Sequence, residues 1–230
     1  MTSTRFAIVA LAVVLTLLAA SAALAGPATD QLRASVDQVL KILADPELKK
    51  EARTLERRRA IRAVANQIFD FNEISRRSLA LHWQARTPAE REEFTRLFGD
   101  LLEQSYISKI ENYSGEKIQY VGETVDGDRV VVKTLIVTKQ GTAIPVDYRM
   151  FLQGERWRAY DVTLEGISLV ANYRAQFNSI IQRSGYRDLV AKLQAKYDER
   201  PGPRETGRRD EVGGAAATTP APVPGPRQSP

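Results

Sequence analysis

The sequence predicts an α+β fold: a four-stranded antiparallel curved sheet covered by helices. Three observations predict it. Apolar residues recur at helical spacing as far as Tyr106, switch near Lys117 to strand-like alternation broken by turns, and return to helical spacing after Gly166. Helices, then a meander, then helices pack as helices laid on one face of a sheet.

The elements follow in order. Asp30 can cap a first helix with Leu32, Val36, Val39, Leu40 and Leu43 on its apolar positions, and Pro46 stops it. A second helix carries Leu55, Ile61, Val64, Ala65 and Ile68 on one face. Its cluster Arg57, Arg58, Arg59 and Arg62 reads as a solvated face or as a docking patch for an acidic partner. The clearest helix opens at Thr87-Pro88-Ala89-Glu90, where a capping threonine, a proline at the first helical position and a glutamate form a capping box. Phe94, Leu97, Phe98, Leu101, Leu102 and Tyr106 then form a wide apolar stripe.

Ile118-Gln119-Tyr120 starts the sheet, and Asp126-Gly127-Asp128 turns it. Val130 to Val137 is a β-branched run closed by Gln140-Gly141. In the third strand Ile144, Val146, Tyr148, Met150 and Leu152 alternate with neutral or polar residues, so one face is buried. Gln153-Gly154-Glu155 turns into a fourth strand, Trp157 to Leu164. Leu169, Val170, Tyr173, Phe177, Ile180 and Ile181 mark a helix ending at Gly185, and Tyr186 to Tyr197 a last one.

The ends of the chain differ from this body. Arg5 precedes an apolar run from Phe6 to Ala20, and Ala23-Leu24-Ala25 before Gly26 has the small-x-small form of a cleavage site. The run is shorter than the roughly 20 residues of a spanning helix. Residues 1–25 are therefore expected to be an export signal cut after Ala25, residues 26–199 one domain, and residues 200–230 a disordered Pro/Gly/Ala-rich tail. The chain has no cysteine, which excludes lipoprotein acylation, disulfides and thiolate metal sites. The sequence pI is about 9.5. Five of the arginines lie in the tail against three acids, so the body is close to neutral and nucleic-acid binding gains no support.

Catalytic constellations are missing. His82 is the single histidine, and there is no phosphate loop, G-x-S-x-G elbow or H-E-x-x-H pair. Asp161 and Asp147 are the candidates for an acid–base pair; the alternative is that they bond to backbone or face water. No metal site and no enzymatic activity are expected. The aromatic residues Tyr106, Tyr148, Tyr160, Tyr173, Phe177 and Trp157 suit either a packed core or the wall of a cavity.

A resemblance bears on that choice. Trp157-Arg158-Ala159-Tyr160-Asp161-Val162, Glu165-Gly166-Ile167-Ser168-Leu169-Val170 and Tyr173-Arg174 with Gln176-Phe177 resemble the signature of the MlaC family, the toluene-tolerance or phospholipid-binding periplasmic proteins. Phe69-Asp70, Leu79 to Trp83 and Val146-Asp147-Tyr148-Arg149 follow in the same order. Ala80 departs from the family, which usually carries glycine there. The resemblance implies that the curved sheet and its helices enclose an apolar lipid pocket, in a non-enzymatic periplasmic carrier that shuttles phospholipid between the outer membrane and an inner-membrane ABC transporter. Its implied partners are an MCE-domain protein (MlaD-like) and an outer-membrane lipoprotein complex (MlaA-like). Its cargo is a bound phospholipid and it needs no cofactor. A hopanoid carrier, a small pocket enzyme and a bridging adaptor stand as alternatives. The expected acyl-chain contacts are Phe98, Leu102, Tyr106, Val146, Tyr148, Met150, Val170, Tyr173, Phe177 and Ile181; Arg174 is expected to pair near Asp161 or Glu165, with a headgroup ligand as its alternative.

Overall fold

The computed structural model describes residues 26–198; the expected export signal and the proline-rich tail lie outside them. Among the described residues six α-helices are built in chain order: α1 (Pro27–Ala44), α2 (Thr54–Ile68), α3 (Phe71–Leu79), α4 (Pro88–Glu111), α5 (Leu169–Ser184) and α6 (Tyr186–Asp198). Between α4 and α5 runs a sheet of β1 (Lys117–Asp126), β2 (Arg129–Val137), β3 (Ala143–Gln153), β4 (Arg156–Leu164) and β5 (Ile167–Ser168). Its order is β1-β2-β3-β4-β5 with antiparallel neighbours throughout, a meander with one strand more than expected.

The fifth strand comes from the turn at Glu165-Gly166, where the sequence pattern shows only a change of period. Glu165 (φ 48°) and Gly166 (φ 82°) both take positive φ, as the two central residues of a tight primed turn must, so Leu164 pairs with Ile167. Ser168 then closes β5 and caps α5 at once, its hydroxyl accepting the Ala171 N–H at 3.0 Å. The Thr87–Glu90 capping box forms as expected, with the Glu90 carboxylate accepting the Thr87 N–H at 2.8 Å.

Helix α1 begins three residues before Asp30, at Pro27. Asp30 sits in its first turn, where a carboxylate favours the dipole but does not cap.

Buried residues form two separate clusters. One joins α3, α4, α5 and α6 around Phe94, Phe98, Phe177 and Leu189. The other joins α1 and the end of α2 to the inner sheet face through Leu32, Ile68, Val132 and Met150. Phe69 packs on both, and its link to the sheet is fixed: the Asp70 N–H donates to the Ala159 carbonyl at 2.9 Å, and Arg158 Nη2 donates to the Phe69 carbonyl at 2.8 Å.

Candidate functional site

A cavity of about 740 Å³ touches both clusters. One wall is the inner face of α1 with Leu32, Val36, Val39, Leu40 and Leu43; α2 adds Ile61, Val64, Ala65 and Ile68. The facing wall is α4, through Leu102, Tyr106, Ile107 and Ile110. The sheet closes the base with Ile118, Ile136, Val146, Tyr148, Val162 and Leu164, and Val170 at the start of α5 completes it. Exposed lining residues Lys109, Ile110, Asn112 and Ile167 mark where it meets solvent. The physical reason for the space is the separation of the cores: α1 rests on the sheet and α4 on the helical bundle, and the apolar faces between them meet no side chain large enough to fill the gap.

The polar groups around the space are mostly engaged in holding it. Arg57 and Arg58 on α2 share Glu111 at the end of α4, each with an Nη2–carboxylate contact of 2.8 Å. Arg62 on α2 reaches both Asp100 and Glu103 on α4. Three of the four arginines, Arg57, Arg58 and Arg62, thus tie α2 to α4, while Arg59 is exposed. Burial alone would raise the Glu111 carboxyl, but the hydrogen bonds and charges of Arg58 and Arg57 outweigh it and hold the group below its ordinary value.

Asp161, buried, accepts the Ser168 hydroxyl at 2.6 Å and the Val170 N–H at 3.0 Å, so both its oxygens anchor the start of α5. Asp147 pairs in register with Lys133 and Thr163 and does not line the cavity. The two carboxylates make no acid–base pair. Burial and the neighbouring Tyr173 raise the Tyr106 hydroxyl to about 12, and burial raises that of Tyr148, so both line the cavity as neutral phenols. Among the described residues there is no cluster of histidine and carboxylates able to hold a metal ion, and no helix long and apolar enough to cross a membrane.

The family model for the MlaC protein matches residues 33–195. The chain belongs to the MlaC family. Among curated MlaC relatives, the intermembrane phospholipid transport system binding protein MlaC of Haemophilus influenzae is 28% identical over 121 residues, 50% of this chain and 56% of that protein, under two thirds of its length. The toluene tolerance protein ttg2D of Pseudomonas putida is 25% identical over 154 residues, 62% of this chain and 71% of that one. A phospholipid-binding protein from Ralstonia solanacearum, solved in complex with a phospholipid, shares the fold with a TM-score of 0.65 at 24% identity, covering 76% of this chain and 98% of its own.

Within this MlaC fold, five of the ten expected contact residues line the cavity together: Leu102, Tyr106, Val146, Tyr148 and Val170. The other five lie elsewhere. Phe98, Tyr173 and Phe177 interlock edge-on, with Phe98 centroids 4.9 Å from Tyr173 and 5.0 Å from Phe177, and fill the bundle core. Ile181 packs on the same core, and Met150 is buried under α1 in the other. Helix α5 turns its stripe toward α4 and α6, so only its first turn reaches the cavity. Arg174 does not pair Asp161 or Glu165; its Nε donates to the Arg77 carbonyl at 3.0 Å. His82 meets Asn178 at 2.9 Å.

The α1–α2 wall is what sequence reasoning missed. The stripe from Leu32 to Leu43 was visible, and so was that of Ile61 to Ile68. Periodicity gives the face of a helix and not the thing it faces.

Proposed function

We propose that this MlaC-family protein is a soluble, non-enzymatic carrier of glycerophospholipid that works in the periplasm. It exchanges lipid with an outer-membrane lipoprotein complex (MlaA-like) and with the MCE-domain subunit (MlaD-like) of an inner-membrane ABC transporter. The observation that carries the reading is the apolar cavity between α1, α4 and the sheet. Each methylene taken from bilayer to water costs about 0.8 kcal/mol, so two acyl chains with roughly 30 methylenes cost about 24 kcal/mol. Crossing an aqueous space therefore requires a protein that replaces the lost apolar contact. At about 740 Å³ the cavity lies in the upper part of the ~300–1,000 Å³ range of ligand sites. Its exposed rim of Lys109 and Asn112 suits a headgroup left in water.

The relatives support the same cargo class: one is named for phospholipid transport, and the Ralstonia protein was solved with a phospholipid. The engagement of Asp161 with Ser168 and Val170 supports a carrier over a pocket enzyme. Native mass spectrometry of protein purified from its own envelope tests the reading. A bound phospholipid mass is expected, together with uptake from phospholipid vesicles. Lipid-free protein that takes up nothing overturns it, a hopanoid mass reassigns the cargo, and turnover lost with Asp161→Asn would restore the enzyme.

A further inference from the structure

Helix α1 begins without a side-chain cap of its own: Gly26 stands at the N-cap and Pro27 opens the first turn. The missing acceptor comes from the sheet. Glu123 Oε2 on β1 accepts the Thr29 backbone N–H at 2.8 Å and the Thr29 hydroxyl at 2.7 Å, and Thr29 is completely buried. The other oxygen, Oε1, accepts no hydrogen bond among the described residues. It faces Gly26, where an added Cβ would overlap it. Standard backbone dimensions then put the Gly26 nitrogen within about 4 Å of that oxygen. A free carboxylate oxygen thus waits beside one particular backbone nitrogen. The small-x-small pattern ends at Ala25, so this is the nitrogen that a cut there would set free.

We propose that Glu123 is the receptor for the processed N-terminus. Hydrolysis of the Ala25–Gly26 bond consumes one water, leaving a carboxylate on Ala25 and an ammonium on Gly26. The ammonium pairs with Oε1 while Oε2 keeps its hold on Thr29. Charge explains why the carboxylate is needed. A bare ammonium at a helix N-terminus adds to the positive end of the dipole and repels it. Glu123 offsets both. Gly26 fits because any side chain would push the carboxylate away. The consequence bears on the cavity, because α1 is one of its walls. The released chain adds an ion pair at the start of that wall, and this rests on the exported-carrier reading above.

The test compares the chain beginning at Gly26 with the same chain carrying Ala-Ala before Gly26, each with Glu123 and with Glu123→Gln. With Glu123 the extension is expected to lower Tm by about 2–4 °C, and with Glu123→Gln to leave it unchanged. An equal shift in both backgrounds, or none in either, overturns the proposal. Should Glu123→Gln not fold, NMR titration of the Gly26 amine replaces it. A pKa above the ordinary range of about 7.7–8.0 supports the pairing, and a value within that range overturns it. The mature protein from its own envelope is expected to begin at Gly26 by mass, and a different first residue also overturns the proposal. Lipid content of the same samples is read separately. Lipid-free protein with the coupling intact sinks the carrier and leaves the clamp; lipid-loaded protein without coupling does the reverse.

Discussion

Arg62 on α2 places Nη1 2.6 Å from Asp100 Oδ1 on α4, across the wall of the cavity. The Asp100 side chain is 5% exposed while Arg62 is 37% exposed, so the tie has one buried and one wet end. Removing the arginine takes a close partner from a buried carboxylate, which is the costly way to break such a pair. Arg96, 3.7 Å away, remains to compensate in part, and water screens the exposed end. Arg62→Met is therefore expected to cost about 1–2 kcal/mol. It is also expected to quicken lipid exchange with vesicles, because α2 loses a link to α4. Urea unfolding and a fluorescent-lipid transfer assay check the two parts.

Glu111 links the same helices to the pH of the surroundings. Its folded-state carboxyl is held below its ordinary value of 4.5. A depressed carboxyl contributes stability that is fully present above its unfolded value and is lost as pH falls through the folded one. Its contribution is thus whole at neutral pH and declines from about pH 4.5 downward. Glu111→Gln should lower the urea midpoint at pH 7 and flatten its decline between pH 5 and 3. A variant whose midpoint falls with acid as steeply as the parent's would contradict this.

Ala80 is where the chain departs from the glycine usual in the family, and its backbone stands at φ 49°, ψ −117°. That region is comfortable only for glycine, because a Cβ crowds the neighbouring carbonyl there. The strained residue presents Leu81, 74% exposed, before the chain returns inward at Trp83. Ala80→Gly should stabilise the protein by about 1 kcal/mol, less than the full strain because glycine also loosens the unfolded chain. A rise of about 2–4 °C in Tm is the expected reading.

Much of the fold is legible in the sequence, and the reasons are local. Thr87-Pro88-Ala89-Glu90 specifies a helix start within four residues, and alternation from Ile144 to Leu152 specifies a strand face. Where the information is non-local it could not be read. The start of α1 depends on Glu123, remote in sequence, and was misplaced to Asp30. The site divides in the same way. Leu102 and Phe98 are one helical turn apart on the same stripe of α4 and both are buried in the bundle core, yet only Leu102 also lines the cavity. What separates them is the middle of α5, which covers Phe98 with Tyr173 and Phe177.

That division makes the last prediction, which tests the cavity against the core. Phe98 is fully buried among aromatic rings, so Phe98→Ala removes packing and leaves a void, at about 3–5 kcal/mol. Its folded fraction should still carry lipid, because the lost ring does not touch the cavity. Leu40 on α1 is half-buried and faces the open space, so Leu40→Trp has room to enlarge inward without overpacking the core. The parent and Leu40→Trp should then share a Tm within a few degrees while the variant carries less lipid per molecule. Native mass spectrometry beside thermal unfolding separates the two effects. If Leu40→Trp keeps its full lipid load and Phe98→Ala loses it from the folded fraction, the cargo lies in the aromatic bundle and the cavity between α1 and α4 is not where lipid rides.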